Sequence, residues 1–276
     1  MLTDRTNSAL AQIGLALVIA CAANGAAAQL RAEQRVVIDY VVPFHAAHNE
    51  IRDVMMKNQV LERVRDLLAP VRWPRTLRLE LKGCEGEANA WYSDGIVTVC
   101  YEFLDDMWRR ANASGRPAAL ARDDAFIGPL TDVVLHESGH ALFELLEIPV
   151  LGREEDAADQ VSAYYLLQLP SERKRALVLG AAYAYASEIK VRNARDLYRP
   201  RLAIRRHATF ADEHGTPAQR LYNLLCLAYG SDKQLFASLV ENGYLPVERA
   251  EICEAEYQQV SRAFDRLIRP HITSGP

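Results

Sequence analysis

Two consecutive apolar helical stretches dominate the pattern of the chain. In the first, Val134, Leu135, Ala141, Leu142, Leu145 and Leu146 form an aliphatic stripe, and Val133 and Phe143 carry apolar character onto the other side. A helix that is apolar nearly all round is a buried one. Ile148-Pro149-Val150-Leu151-Gly152 is long enough to turn the chain back and too short to carry it far. A second helix starting near Arg153 is therefore expected to pack beside the first. Small Ala158 and Ser162 on its inner face permit close approach, and Pro170 ends it.

The same reading along the rest of the chain predicts a small sheet followed by helices. Arg35 to Val42 is short and β-branched, a strand closed by Pro43; His45 to Leu68 is helical, with Ile51, Met55, Val60 and Val64 near one face. Leu77 to Leu81 alternates as a half-buried strand, and Gly83 to Glu87 is a turn. Ala88 to Tyr92 and Ile96 to Tyr101 make a hairpin around Ser93-Asp94-Gly95, which leaves one strand at a sheet edge. Phe103 to Arg110 is helical, Asn112 to Pro117 a polar loop, and Gly128-Pro129 marks the start of the first apolar helix. After Pro170, Ser171 caps a helix running to about Lys190. Further helices are expected over Arg195–His207, Pro217–Tyr229, Lys233–Asn242 and Ala255–Leu267. The predicted class is α+β: a mixed sheet, then a mostly helical lobe, with the site between them.

Composition refines this picture. At 276 residues and 50% hydrophobic, the chain is long enough to bury a substantial core. A net charge of −4 with no Lys/Arg stripe lacks the basic footprint of a nucleic-acid binder. The apolar run Ala9 to Ala20 has the length of a signal-peptide core and is too short to span a bilayer. Ala26-Ala27-Ala28 offers a cleavage site, giving a signal peptide over 1–28 and a mature domain over 29–276, with an α/β part to about 150 and a helical part beyond. Val18-Ile19-Ala20-Cys21 resembles a lipoprotein box, so a lipid anchor at Cys21 stands as the alternative. No transmembrane helix is expected, and the location is periplasmic or secreted. Export favours disulfides. Cys84 and Cys100 flank the hairpin and Cys226 and Cys253 lie in two late helices, so they are paired that way.

The chemistry sits on the two apolar helices. In His136-Glu137-Ser138-Gly139-His140 the histidines stand four apart, on one helix face, where two imidazoles grip one metal ion. Glu137 between them reaches a water at that ion. On the second helix Glu155 and Asp159 also share a face, supplying one more ligand and one more acceptor. Two nitrogens and one oxygen leave a fourth position open, the arrangement of catalytic zinc. His45 and His48, three apart, lack a carboxylate or cysteine nearby and are read as first-turn residues. For a second oxyanion donor the candidates are Tyr164, Tyr165, His207 and His214; the acids beside His214 in Ala211-Asp212-Glu213-His214-Gly215 could orient its ring.

H-E-x-x-H followed by E-x-x-A-D resembles the gluzincin metallopeptidases. The resemblance implies a zincin-like fold, zinc held by His136, His140 and Glu155, Glu137 as general base, and Asp159 accepting from a ligand imidazole. Asn89-Ala90-Trp91-Tyr92 resembles the edge strand with which thermolysin-like enzymes hold the substrate backbone, making Asn89, Ala90 and Trp91 substrate-binding residues. By the same similarity His214 is the oxyanion donor. The whole mature chain resembles the bacterial metallopeptidase family known as domain of unknown function 4344, through N-A-W-Y, the zinc helices, Asp212-Glu213-His214 and Arg220-Leu221-Tyr222-Asn223. The chain departs from thermolysin in its short spacing from His140 to Glu155 and in its C-terminal lobe, which leaves substrate preference open. The implied activity is zinc-dependent hydrolysis of peptide bonds in a peptide or protein substrate. The alternative is a non-catalytic zinc-binding envelope protein that scaffolds or binds a partner.

Overall fold

A computed structural model describes residues 35–113, 115–118, 120–189 and 213–273. The signal segment, Cys21 and the helix expected over Arg195–His207 lie outside the described residues. The order is β1 (Val36–Tyr40), α1 (His48–Lys57), α2 (Val60–Leu68), β2 (Leu77–Lys82), β3 (Ala90–Ser93), β4 (Ile96–Cys100), α3 (Tyr101–Ala111), α4 (Arg122–Leu145), α5 (Glu154–Leu167), α6 (Ser171–Glu188), α7 (Pro217–Ser231), α8 (Ala237–Glu241) and α9 (Val247–Leu267). The molecule is α+β, a small mixed sheet with mostly helical surroundings, as a zincin-like fold requires.

The sheet runs β1-β2-β4-β3, parallel except for the antiparallel β3–β4 pair. β2 alternates as its sequence predicts, with Leu77, Leu79 and Leu81 buried, and β4 is buried from Val97 to Cys100. β3 lies at the edge. Cys100 N–H donates to Asn89 O at 3.0 Å, which makes Asn89–Cys100 a hydrogen-bonded pair in the antiparallel register. Pairs then alternate, so Trp91 and Ser93 bond to β4 while Ala90 and Tyr92 turn their N–H and C=O groups to the free edge.

Several helices differ from expectation. The His45–Leu68 stretch is two helices, broken where Gln59 adopts φ 50°, a left-handed conformation that reorients the chain. α4 begins at Arg122, so Pro129 lies inside it and not at its start. Gly128 is needed there for a different reason: a Cβ would stand 2.6 Å from Leu177 O, because α4 and α6 touch backbone to backbone at Gly128 and Gly180. Ser171 does not cap α6; Pro170 holds that position without a side-chain cap. α8 covers only Ala237–Glu241, and α9 starts at Val247, directly after Pro246. α7 starts as expected at Pro217, behind a capping box in which Thr216 and Gln219 satisfy each other's N–H groups.

Both disulfides form, Cys84–Cys100 and Cys226–Cys253. The first ties the loop before β3 to the end of β4, and the second joins α7 to α9. Among the described residues no helix is long and apolar enough to cross a membrane.

Candidate active site

α4 and α5 are neighbours, and their closest approach falls inside the histidine motif. A Cβ on Gly139 would stand 3.1 Å from Ala158 Cα, so a small residue on each helix brings the two ligand-bearing faces together. His136 Nε2 and Glu155 Oε2 are 3.0 Å apart, the two histidine Nε2 atoms 3.3 Å, and His140 Nε2 and Glu155 Oε2 3.4 Å. Tetrahedral ligands about 2.0–2.1 Å from zinc stand roughly 3.3–3.4 Å from one another. At 3.0–3.4 Å the three atoms stand close to the spacing of three donors around one metal ion, and they form a group that could hold one. Among the described residues the other group at ligand spacing is Cys84, Cys100 and Glu102, whose sulfurs are joined in the disulfide.

Each imidazole is held from behind by an acid. His136 Nδ1 lies 2.8 Å from Asp159 Oδ1, and His140 Nδ1 lies 2.8 Å from Glu154 Oε1. A carboxylate only accepts, so it places a ring proton on Nδ1, and in the neutral imidazole that leaves the Nε2 lone pair facing the cleft. The acid behind His140 was not singled out from sequence. Sequence periodicity put Glu155 and Asp159 on the ligand face and left Glu154 off it, but the first residue of α5 reaches back across the loop to His140.

The electrostatics follow from this packing. Burial alone would lower the His136 pKa, but hydrogen bonds to Asp159 and Glu155 override it and raise the group to about 9 in the metal-free site. The His136 hydrogen bond, against the opposing effect of burial, holds Glu155 at about 2. Asp159 is likewise at about 2: burial pushes it up, and the bonds from His136 and Arg220 pull it further down. Glu137 is raised above the ordinary carboxylate value by burial, partly offset by the histidines and by the Tyr92 backbone N–H.

Glu137 and the edge strand share a cleft of about 610 Å³ with the three candidate ligand residues; Asn89, Ala90, Trp91 and Tyr92 line it, as do His214 and Arg220. Phe103 and Val133 add apolar surface, and Glu188 adds a charge. Ala90 N–H donates to the side-chain Oδ1 of Asn89 at 2.9 Å. His214 Nε2 lies 2.8 Å from Glu155 Oε2, and its ring stacks on His136 with centroids 5.8 Å apart. The structure thus brings His136, Glu137, His140, Glu155, His214, Asn89, Ala90 and Trp91 to one cleft and puts Asp159 behind it.

Other candidates fall away. Tyr164 and Tyr165 pack on Phe264 of α9, with ring centroids 4.1 and 5.4 Å away, and do not line the cleft. His207 lies outside the described residues. His48 meets the Tyr101 ring at a tilt, with centroids 5.7 Å apart, and among the described residues belongs to no group of ligand spacing.

A polar chain behind His136 had no sequence signal beyond the Arg220-Leu221-Tyr222-Asn223 token. Arg220 grips Asp159 through Nε and Nη2, and stands over the Tyr185 ring with the guanidinium carbon 4.7 Å from its centroid. Tyr185 in turn donates to buried Asp132 at 2.6 Å.

In comparison with known proteins, residues 40–268 match the family model DUF4344, whose description is "Putative metallopeptidase". No curated protein and no solved structure matches the chain.

Proposed function

The chain belongs to family DUF4344, and from that premise we propose that it is a zinc-dependent peptidase that hydrolyses peptide bonds with Glu137 as general base. The observation that carries this reading is the mutual 3.0–3.4 Å spacing of His136 Nε2, His140 Nε2 and Glu155 Oε2 in one cleft with Glu137. Two imidazoles and one carboxylate also serve non-haem iron(II); it is the acid Glu137 between two helical histidines, with a fourth position open, that favours a hydrolytic zinc. Zinc held there lowers the pKa of a bound water towards ~7 and polarises a carbonyl.

The chain's own residues supply the remaining steps. An extended peptide adds to the free edge of β3, donating to the outward carbonyls of Ala90 and Tyr92 and accepting from Ala90 N–H once Asn89 releases it. This lays the scissile carbonyl over the ligand face. Glu137, steadied by Tyr92 N–H, removes a proton from the attacking water and returns it to the leaving amine nitrogen. His214 faces the ligand oxygen of Glu155 and donates to the oxyanion. The two disulfides fit an exported enzyme, and the mature chain beginning at Gln29 belongs to the same proposal.

A zinc-binding protein without turnover would need neither a buried base between the ligands nor an open strand edge beside it. The test is zinc content together with cleavage of a peptide library by wild type and by Glu137→Gln. Wild type is expected to carry zinc and cleave. Glu137→Gln is expected to keep the zinc and lose cleavage, because Glu137 touches the water and not the ion. Cleavage by a zinc-loaded Glu137→Gln protein overturns the assignment.

A further inference from the structure

We propose that Arg220 is a positioning residue of the metal centre: it acts through Asp159 on His136, and so makes the α7 lobe part of the ligand set. This rests on the zinc site proposed above. Asp159 is the only acid at His136 Nδ1 among the described residues, and its Oδ1 takes two contacts, from His136 at 2.8 Å and from Arg220 Nη2 at 2.6 Å. Its other oxygen accepts from Arg220 Nε at 2.9 Å. A carboxylate held only by one imidazole can rotate about its own bond. The planar fork of a guanidinium, bonded side-on to both oxygens, fixes the carboxylate plane.

Arg220 is itself clamped. Its guanidinium lies over the Tyr185 ring, and Tyr185 donates to Asp132 Oδ2 at 2.6 Å. Ser162 donates to the other Asp132 oxygen at 2.6 Å. Asp132 stands one helical turn before His136 on α4, so the chain of contacts leaves α4 at His136, passes through α5, α7 and α6, and returns to α4 at Asp132. A single side chain, drawn from 61 residues beyond Asp159, closes that circuit. Without it, the partly buried carboxylate keeps only the His136 contact and is free to turn from it or to take up a proton. Lysine restores the charge but neither the fork nor the stacked plane.

The experiment is zinc affinity, measured by chelator competition on the full chain, for wild type, Arg220→Gln, Arg220→Lys, Asp159→Asn and the Asp159→Asn/Arg220→Gln double variant, beside their melting temperatures. Arg220→Gln is expected to weaken zinc by about 10–100-fold, the range for a lost outer partner of a ligand histidine, with Arg220→Lys in between. In the Asp159→Asn background the same change is expected to cost less than about twofold, since nothing remains to be positioned. A role in fold stability alone would lower the melting temperature of both backgrounds alike and leave no such coupling. Undiminished affinity in Arg220→Gln overturns the proposal, as does an equal loss in both backgrounds. Should Arg220→Gln fail to fold, wild-type affinity in Arg220→Lys overturns it equally. Absence of zinc from the wild type counts against the proposed function, whereas zinc in the wild type with no Arg220 effect counts against this inference alone.

Discussion

The crossing of α4 and α5 and the outer edge of β3 form facing parts of one cleft, and they are built on opposite terms. At the crossing the groups behind the proposed ligands are engaged: each imidazole has an acid at Nδ1, and Asp159 has Arg220 at both oxygens. Gly139 against Ala158 leaves no slack between the helices. At the edge, Ala90 and Tyr92 point backbone groups away from their own sheet, and one amide is covered only by the neighbouring Asn89 side chain. A buried metal centre needs its atoms fixed before the ion arrives, because ligands that must reorganise lose affinity. A strand edge meant for another chain must stay unfinished, because its hydrogen bonds are the ones the partner makes. Damage to the first region should therefore appear in metal content, and damage to the second in KM.

The largest break is at Glu155. Glu155→Ala removes a proposed ligand oxygen and is expected to abolish zinc binding and activity together. Its neighbour Glu154 is exposed and holds His140 from outside, so Glu154→Ala is expected to keep the metal with affinity reduced no more than ~10-fold, the lower end for an outer partner. Metal analysis of both variants decides, and loss of zinc from Glu154→Ala with retention in Glu155→Ala would reverse the ligand assignment.

His214 lies between the two regions, on the rim, where its Nε2 meets Glu155 at 2.8 Å. In the proposed role of oxyanion donor it would act on the transition state and not on the resting ion. His214→Ala is expected to lower kcat/KM by ~10²–10³-fold with zinc content and melting temperature unchanged. A variant that cleaves like wild type removes His214 from the mechanism.

The edge strand gives a sharper contrast. Ala90 N–H takes no part in the ladder with β4, so proline at that position leaves the sheet intact, as it does on other strand edges. Ala90→Pro is expected to raise KM by roughly 2–10-fold, the worth of one hydrogen bond, with zinc affinity untouched. A normal KM would place the peptide elsewhere in the cleft.

How much of this was legible in the chain depends on the range of the interaction. The histidine pair, the following acids and the hairpin all lie within a few turns of sequence, and the helix and strand periods expose them. The break at Gln59 was also written there, in the five-residue step from Met55 to Val60 within an otherwise four-residue rhythm, but a single helix absorbed it. Pro129 misled because proline commonly opens helices, whereas here α4 begins at Arg122 and carries the proline in its interior, beside the close approach of Gly128 to α6. Glu154 was passed over because helical periodicity does not describe a first-turn side chain bending back over the loop. Arg220 on Asp159 joins elements 61 residues apart, and no local spacing encodes that contact.

The smallest effect separates the empty centre from the loaded one. In the metal-free site His136 is raised to about 9, above an ordinary value near ~6.5, by its two acids. A raised histidine contributes stability that is fully present below its unfolded pKa and is lost as pH rises through the folded one. Asp159, held at about 2, works in the other direction: its contribution is present above ~3.9 and is lost only as pH falls through about 2. Of these two groups only the histidine changes between pH ~6.5 and ~9, and through its contribution chelator-treated protein is expected to melt a few degrees lower at the upper end of that window. Zinc requires His136 without its Nε2 proton, so the loaded protein has already given that proton up and its melting temperature should not follow the same slope. Calorimetry of zinc binding at pH 7.5 in two buffers of different ionisation enthalpy reads the same event as release of about one proton. Ala90→Pro, which changes only the edge strand, is expected to leave both signatures as they are. A metal-free melting temperature that is flat or rises from pH 6.5 to 9 would show that the acids behind His136 do not hold its proton, and the account of the crossing as preset for the ion would fail there.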